Sequence, residues 1–89
     1  MRGTVYILQD DTGRFYIGST NNLKRRIKQH HYRHTQTTTR MKNPTLVFQQ
    51  EFDNIEKARI IEMRLKKLKR KDYLQNIIKD GYIKIANKI

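Results

Sequence analysis

The chain has 89 residues and no cysteine, so one modest core must form without disulfide or thiolate-metal support. A chain of this size buries roughly 60–65% of its unfolded surface, and no apolar run approaches the roughly 20 residues that cross a bilayer. Its formal net charge of +12 points to a polyanionic partner, of which nucleic acid is the commonest.

Thr4 to Leu8 is β-branched and aromatic and predicts a strand. Asp10-Asp11-Thr12-Gly13 is turn chemistry, with Gly13 suited to a left-handed position. Phe15 to Gly18 predicts the return strand of a hairpin, with Tyr16 and Gly18 on one face and Phe15 and Ile17 on the other. Thr20, Asn21 and Asn22 are N-cap candidates for a helix from about Leu23 to His31 or slightly beyond, with Leu23, Ile27 and His31 as its inner stripe. Arg26 and His30 are four apart and share a neighbouring face.

Residues 33–43 are polar and threonine-rich and predict an exposed basic loop. A third strand is expected over Thr45 to Phe52. Asp53 and Glu56 stand at capping-box spacing before a helix that should reach about Lys69. Its apolar stripe is Ile55, Ala58, Ile61, Leu65 and Leu68, and Glu62 lies inside that stripe, where a carboxylate needs compensation. A short third helix is expected from about Asp72 to Lys79, with Tyr73, Leu74, Ile77 and Ile78 inward and Gly81 as its stop. The tail from Tyr82 is expected to be extended or frayed. The fold class is therefore α/β (α+β): a small three-stranded antiparallel sheet flanked by helices, one domain over residues 1–89 with its core over about 4–79.

Charge distribution is more informative than net charge. No acidic residue occurs from Thr12 to Gln50, a span holding Arg14, Lys24, Arg25, Arg26, Lys28, Arg33, Arg40, Lys42 and all three histidines. A second basic block runs from Lys57 to Lys71, relieved only by Glu62. The plainer alternative is a solvated charged surface, but such surfaces usually mix their signs. No helix pairs a basic face with exposed Trp or Phe, which argues against an anionic membrane. The N-terminus lacks a signal-peptide pattern, since Asp10 and Asp11 interrupt its apolar stretch, and a cytoplasmic location is expected. His30, His31 and His34 suggest zinc, but no carboxylate lies near them in sequence.

These residues resemble, in order, a GIY-YIG nuclease domain of the small standalone bacterial kind. The first signature tripeptide stands as Thr4-Val5-Tyr6, departing at its first two positions, and the second is intact as Tyr16-Ile17-Gly18. Asn22-Leu23, Arg26 and His30 follow at family spacing, and Glu62 sits on a later helix. The resemblance covers roughly Thr4 to Ile78. It implies a metal-dependent endonuclease acting on DNA more readily than RNA, with one Mg²⁺ or Mn²⁺ ion and no small-molecule cofactor. Glu62 would hold the metal and Arg26 would contact the scissile phosphate. Tyr6 or Tyr16 would help generate the nucleophile, and His30 would assist proton transfer or hold a tyrosine. Gly18, Ser19, Lys24, Arg25, Lys28, Arg33, Arg40 and Lys42 would contact the nucleic acid.

Each residue also has a plainer reading. Tyr6 and Tyr16 serve equally as strand aromatics in a core, and Gly18 as an ordinary strand-end glycine. Arg26 reads as one more solvated cation, like Arg25 beside it, and Glu62 as the neutraliser of a nearby arginine. Some branches of the family carry lysine where this chain has Ser19, and Asn76 is the nearest candidate for the asparagine that many members place near the last helix. The rival function is a non-catalytic basic nucleic-acid-binding module that keeps the fold. A weaker one is a structural or ribosome-associated protein with no site.

Overall fold

In a computed structural model, residues 2–32, 42–68 and 70–83 are described. They form β1 (Gly3–Gln9), β2 (Phe15–Thr20), α1 (Leu23–Tyr32), β3 (Thr45–Phe52), α2 (Ile55–Leu68) and α3 (Lys71–Asp80). The strands make one antiparallel sheet in the order β2-β1-β3. The basic loop expected over 33–43 lies outside the described residues except at its last two positions, and the tail beyond Ile83 lies outside them altogether.

Asp10 organises the hairpin turn. Its Oδ1 accepts from the Thr12 amide and hydroxyl and from the Arg14 amide, and its Oδ2 accepts from the Lys42 amide. These donors, the Thr12 hydroxyl first, hold the carboxyl below its ordinary range although burial opposes them. Gly13 takes the left-handed position with φ 89°.

Register assigns the two faces of the sheet. Tyr6 opposes Gly18 and Leu8 opposes Tyr16, whereas Val5 opposes Ser19 and Ile7 opposes Ile17. Val5, Ile7, Ile17 and Phe48 pack against Ala58, Ile61 and Leu65 of α2 and Leu74 and Ile77 of α3. Tyr6 and Leu8 are buried on the opposite face, outside that cluster. On β3, Leu46 opposes Leu8 and Phe48 opposes Ile7, so Val47 is the extra residue of a bulge. Gly3 lets α2 start against β1: a Cβ there would stand 2.6 Å from the Ile55 Cα.

The helix caps refine the sequence reading. Asn22 caps α1, its Oδ1 accepting from the Arg25 amide at 3.1 Å. Asn54, not Asp53, caps α2, accepting from the Lys57 amide at 2.7 Å. The helix begins one residue later than the Asp53–Glu56 capping box requires, so that box does not form. Leu68, expected in the apolar stripe, is exposed at the last position of α2. Gly81 ends α3 with φ 82° and returns its amide to the Ile77 carbonyl. The tail does not fray at once: Ile83 is buried in the core and its amide donates to Gln50 Oε1 at 2.8 Å.

Candidate active site

Tyr6 is central to the site. It projects from β1 across Gly18 of the neighbouring strand, and a Cβ at Gly18 would stand 2.5 Å from Tyr6 Cζ. The glycine is required by close packing of a phenol ring, and the space above its backbone is filled by that ring. Tyr16 is on the same face of the sheet, its ring centroid 6.2 Å from that of Tyr6 at an interplanar angle of 44°.

Arg26 comes to this pair from α1. Its Nε donates to the Tyr6 hydroxyl at 3.4 Å, and its guanidinium also bonds the Tyr16 hydroxyl. The two phenol oxygens raise the arginine's already high pKa, the Tyr6 bond contributing most. Burial pushes the Tyr6 phenol from its ordinary 10.0 up to about 12, against the opposing pull of Arg26. At neutral pH Tyr6 is therefore a fixed, protonated hydroxyl.

Glu62 approaches from α2, on the other face of the sheet. Edge strand β2 separates it from the tyrosine side. Its Oε1 accepts a short hydrogen bond from Ser19, which the strand alternation turns toward α2. Its Oε2 lies 2.7 Å from the Lys66 ammonium, four residues further along the helix. Lys66 Nζ also stands 5.9 Å from the Tyr16 ring centroid. That ammonium joins the carboxylate side to the tyrosine side around the edge of β2. Among the described residues, the compensation that Glu62 needs within an apolar stripe is a serine and a lysine rather than an arginine.

The other predicted positions divide by location. Lys24, Arg25 and Lys28 are exposed on α1, continuing the positive surface next to Arg26. Lys42 is exposed, and its backbone is tied to Asp10 and Asp11 at the hairpin turn. His30 falls in α1, but its side chain lies outside the described residues, as do Arg33 and Arg40. Asn76 is exposed on α3 and lines a separate cavity of about 70 Å³ with Tyr73, Asp80 and Tyr82.

Sequence reasoning missed Lys66. The signal was present in its spacing, four residues after the one acidic residue of its block. Among the described residues, no group of three or more His, Asp or Glu side chains is placed to hold a metal. A cation at this site would rest on Glu62, whose carboxylate already draws the Lys66 ammonium to Oε2. Among those residues, no helix is long and apolar enough to cross a membrane.

Comparison with known proteins places the chain in a family and matches its fold. The family model for the GIY-YIG catalytic domain matches residues 2–76. A UPF0213 protein of Clostridium perfringens is 40% identical over 74 residues, covering 82% of this chain and 80% of that protein. A UPF0213 protein of Autographa californica nuclear polyhedrosis virus is 65% identical over 26 residues, which are 29% of this chain and 25% of the viral protein. The solution NMR structure of a UPF0213 protein from Bacillus halodurans matches with a TM-score of 0.57 at 30% identity, over 91% of this chain and 87% of that one. The chain belongs to the GIY-YIG catalytic domain family, whose domains are of nuclease type and act on nucleic acid.

Proposed function

We propose that this chain is a metal-dependent endonuclease that hydrolyses phosphodiester bonds, with DNA ahead of RNA as substrate. One observation carries the reading. The Lys66 ammonium is 2.7 Å from the Glu62 carboxylate and 5.9 Å from the Tyr16 ring centroid, so an acidic group and a tyrosine–arginine cluster share one edge of β2.

The division of labour follows from the environments. Arg26 supplies fixed positive charge where negative charge grows on the phosphoryl oxygens, and its planar donors suit that task. Tyr6, with its pKa near 12, keeps its proton and holds Arg26 in place. Orientation of the attacking water falls to Tyr16, which is only half buried. Glu62 and the Ser19 hydroxyl are hard oxygen donors that fit Mg²⁺ or Mn²⁺, an ion that keeps several waters and takes few protein ligands. When bound, such an ion polarises the phosphate and stabilises the leaving oxygen.

The test is incubation with labelled single-stranded, duplex and tailed DNA and RNA, with and without Mg²⁺, alongside Glu62→Gln. Cleavage is expected only with Mg²⁺ and the unaltered chain, while Glu62→Gln keeps fold and binding. If Glu62→Gln cleaves normally and merely melts earlier, Glu62 is the structural partner of Lys66 and the metal assignment is wrong. If nothing is cleaved but affinity falls with salt at a log–log slope of about −4 to −5, as for ~4–6 neutralised phosphates on duplex DNA, the chain is a binding module.

A further inference from the structure

On the helix side of the β2 edge a cleft of about 360 Å³ opens between the hairpin, α2 and α3. Part of its floor is apolar, formed by Phe15, Ile17 and Leu74, and its walls carry Arg14, Lys66, Arg70 and Lys71 without a carboxylate among the lining residues. Arg70 is paired with Asp72 at 2.8 Å and Lys66 with Glu62. Arg14 and Lys71 are exposed and enter no ion pair among the described residues. Lys71 Nζ lies 5.9 Å from the Phe15 ring centroid, so the ring already receives a cation on its surface.

An aromatic ring, an apolar floor and uncompensated cations form a combination with a specific complement. A nucleotide offers a flat base for the ring and a phosphate for the cations, and the cleft falls within the roughly 300–1,000 Å³ range of ligand sites. A base stacked inside a duplex has no free face to offer, so the nucleotide must be unpaired. The cleft also adjoins the site above, because Lys66 belongs to both.

We propose that this cleft is a subsite for one unpaired nucleotide of the strand presented to Glu62, Arg26 and Tyr16, so that the substrate class is a single-stranded segment or a duplex with an unpaired tail. Its role in cleavage rests on the nuclease reading, but its binding does not. The base lies against Phe15, and the Lys71 ammonium moves from the ring to the phosphate beside Arg14.

Fluorescence anisotropy on the whole chain tests this with two labelled duplexes, one blunt and one with a short unpaired tail. The tailed duplex should bind about tenfold more tightly, the gain expected of a single stacked base. The double variant Arg14→Glu/Lys71→Glu should lose that ratio. The control Arg59→Glu/Lys79→Glu makes the same charge change at exposed positions that do not line the cleft, and should weaken both duplexes while keeping the ratio. Loss of the ratio in both variants, or no ratio in the unaltered chain, overturns the subsite. An NMR titration of the unaltered chain with tetrathymidylate gives a second reading that needs no variant. Amide shifts at Gly13 to Phe15 and Lys71 to Leu74 support the subsite, and shifts confined to β1 and α1 overturn it. A tail preference without cleavage sinks the nuclease reading alone. Cleavage without a tail preference sinks the subsite alone.

Discussion

Lys66 and Glu62 lie one turn apart on α2, and the lysine ammonium stands 2.7 Å from Oε2 of the carboxylate while reaching 5.9 Å from the Tyr16 ring centroid. A lysine in that position competes with any metal ion for the same oxygen. An i,i+4 pair with a half-exposed lysine stabilises a helix by only about 0.3–0.5 kcal/mol. Lys66→Met keeps the aliphatic stem and removes the competitor. It should barely change Tm, yet lower several-fold the Mg²⁺ concentration needed for half-maximal cleavage. A Mg²⁺ titration checks this, and an increased requirement would show that Lys66 assists the site rather than blocking it.

Arg26 and Arg25 are neighbours on α1 pointing about 100° apart, and only Arg26 is bonded to the tyrosines. Arg26→Ala should lower single-turnover cleavage on the order of 10²–10³, with little change in ground-state binding because many cations remain. Arg25→Ala should act as a mild surface change. A dead Arg25→Ala beside a healthy Arg26→Ala would shift the assignment by one residue. Normal cleavage by both would remove arginine from the mechanism.

Gly18→Ala places a Cβ 2.5 Å from Tyr6 Cζ, so either the strand or the ring must move. Overpacking of this kind costs about 1–3 kcal/mol, and each kcal/mol lowers Tm by about 4–8 °C in a domain of this size. Thermal melts should therefore show a clear loss for Gly18→Ala alone. In a Tyr6→Ala background the same substitution should cost little, because the clash is gone. Equal losses in both backgrounds would mean that the glycine is needed for a reason other than the phenol.

Tyr6 gives an alkaline signature. Its folded pKa is raised from 10.0 to about 12, so the folded state holds the proton more tightly than the unfolded chain. The associated stability is fully present below pH 10 and is lost as pH rises towards about 12. Stability measured across that window should fall more steeply for the unaltered chain than for Tyr6→Phe. Phenolate absorbance should show one tyrosine ionising late. Parallel curves for the two proteins would remove Tyr6 as the buried titrating group.

Some of this protein is written locally in its sequence. The strands, the hairpin turn at Gly13, the helix after Asn22 and the stop at Gly81 depend on side-chain period and on backbone angles that one residue sets for itself, and the structure has them where the sequence placed them. The tyrosines and Arg26 were legible as candidates because the β1–turn–β2–α1 stretch carries the family's motifs in order, and Glu62 because a carboxylate stands inside the apolar stripe of α2. Other features depend on distances between elements far apart in the chain. Gly3 looks like any glycine until α2 starts against it, and Gly18 acquires its reason only when the Tyr6 ring crosses it. Asp10 reads as a turn residue, but its second oxygen meets Lys42 from a different part of the chain. Ser19 and Lys66 become partners of Glu62 only after strand alternation turns the serine toward α2 and the helix lies along the β2 edge. Sequence determined the elements and the candidate residues on them, because propensity and spacing are local. Tertiary structure alone decided which of them touch, because close approach is settled by packing across the sheet.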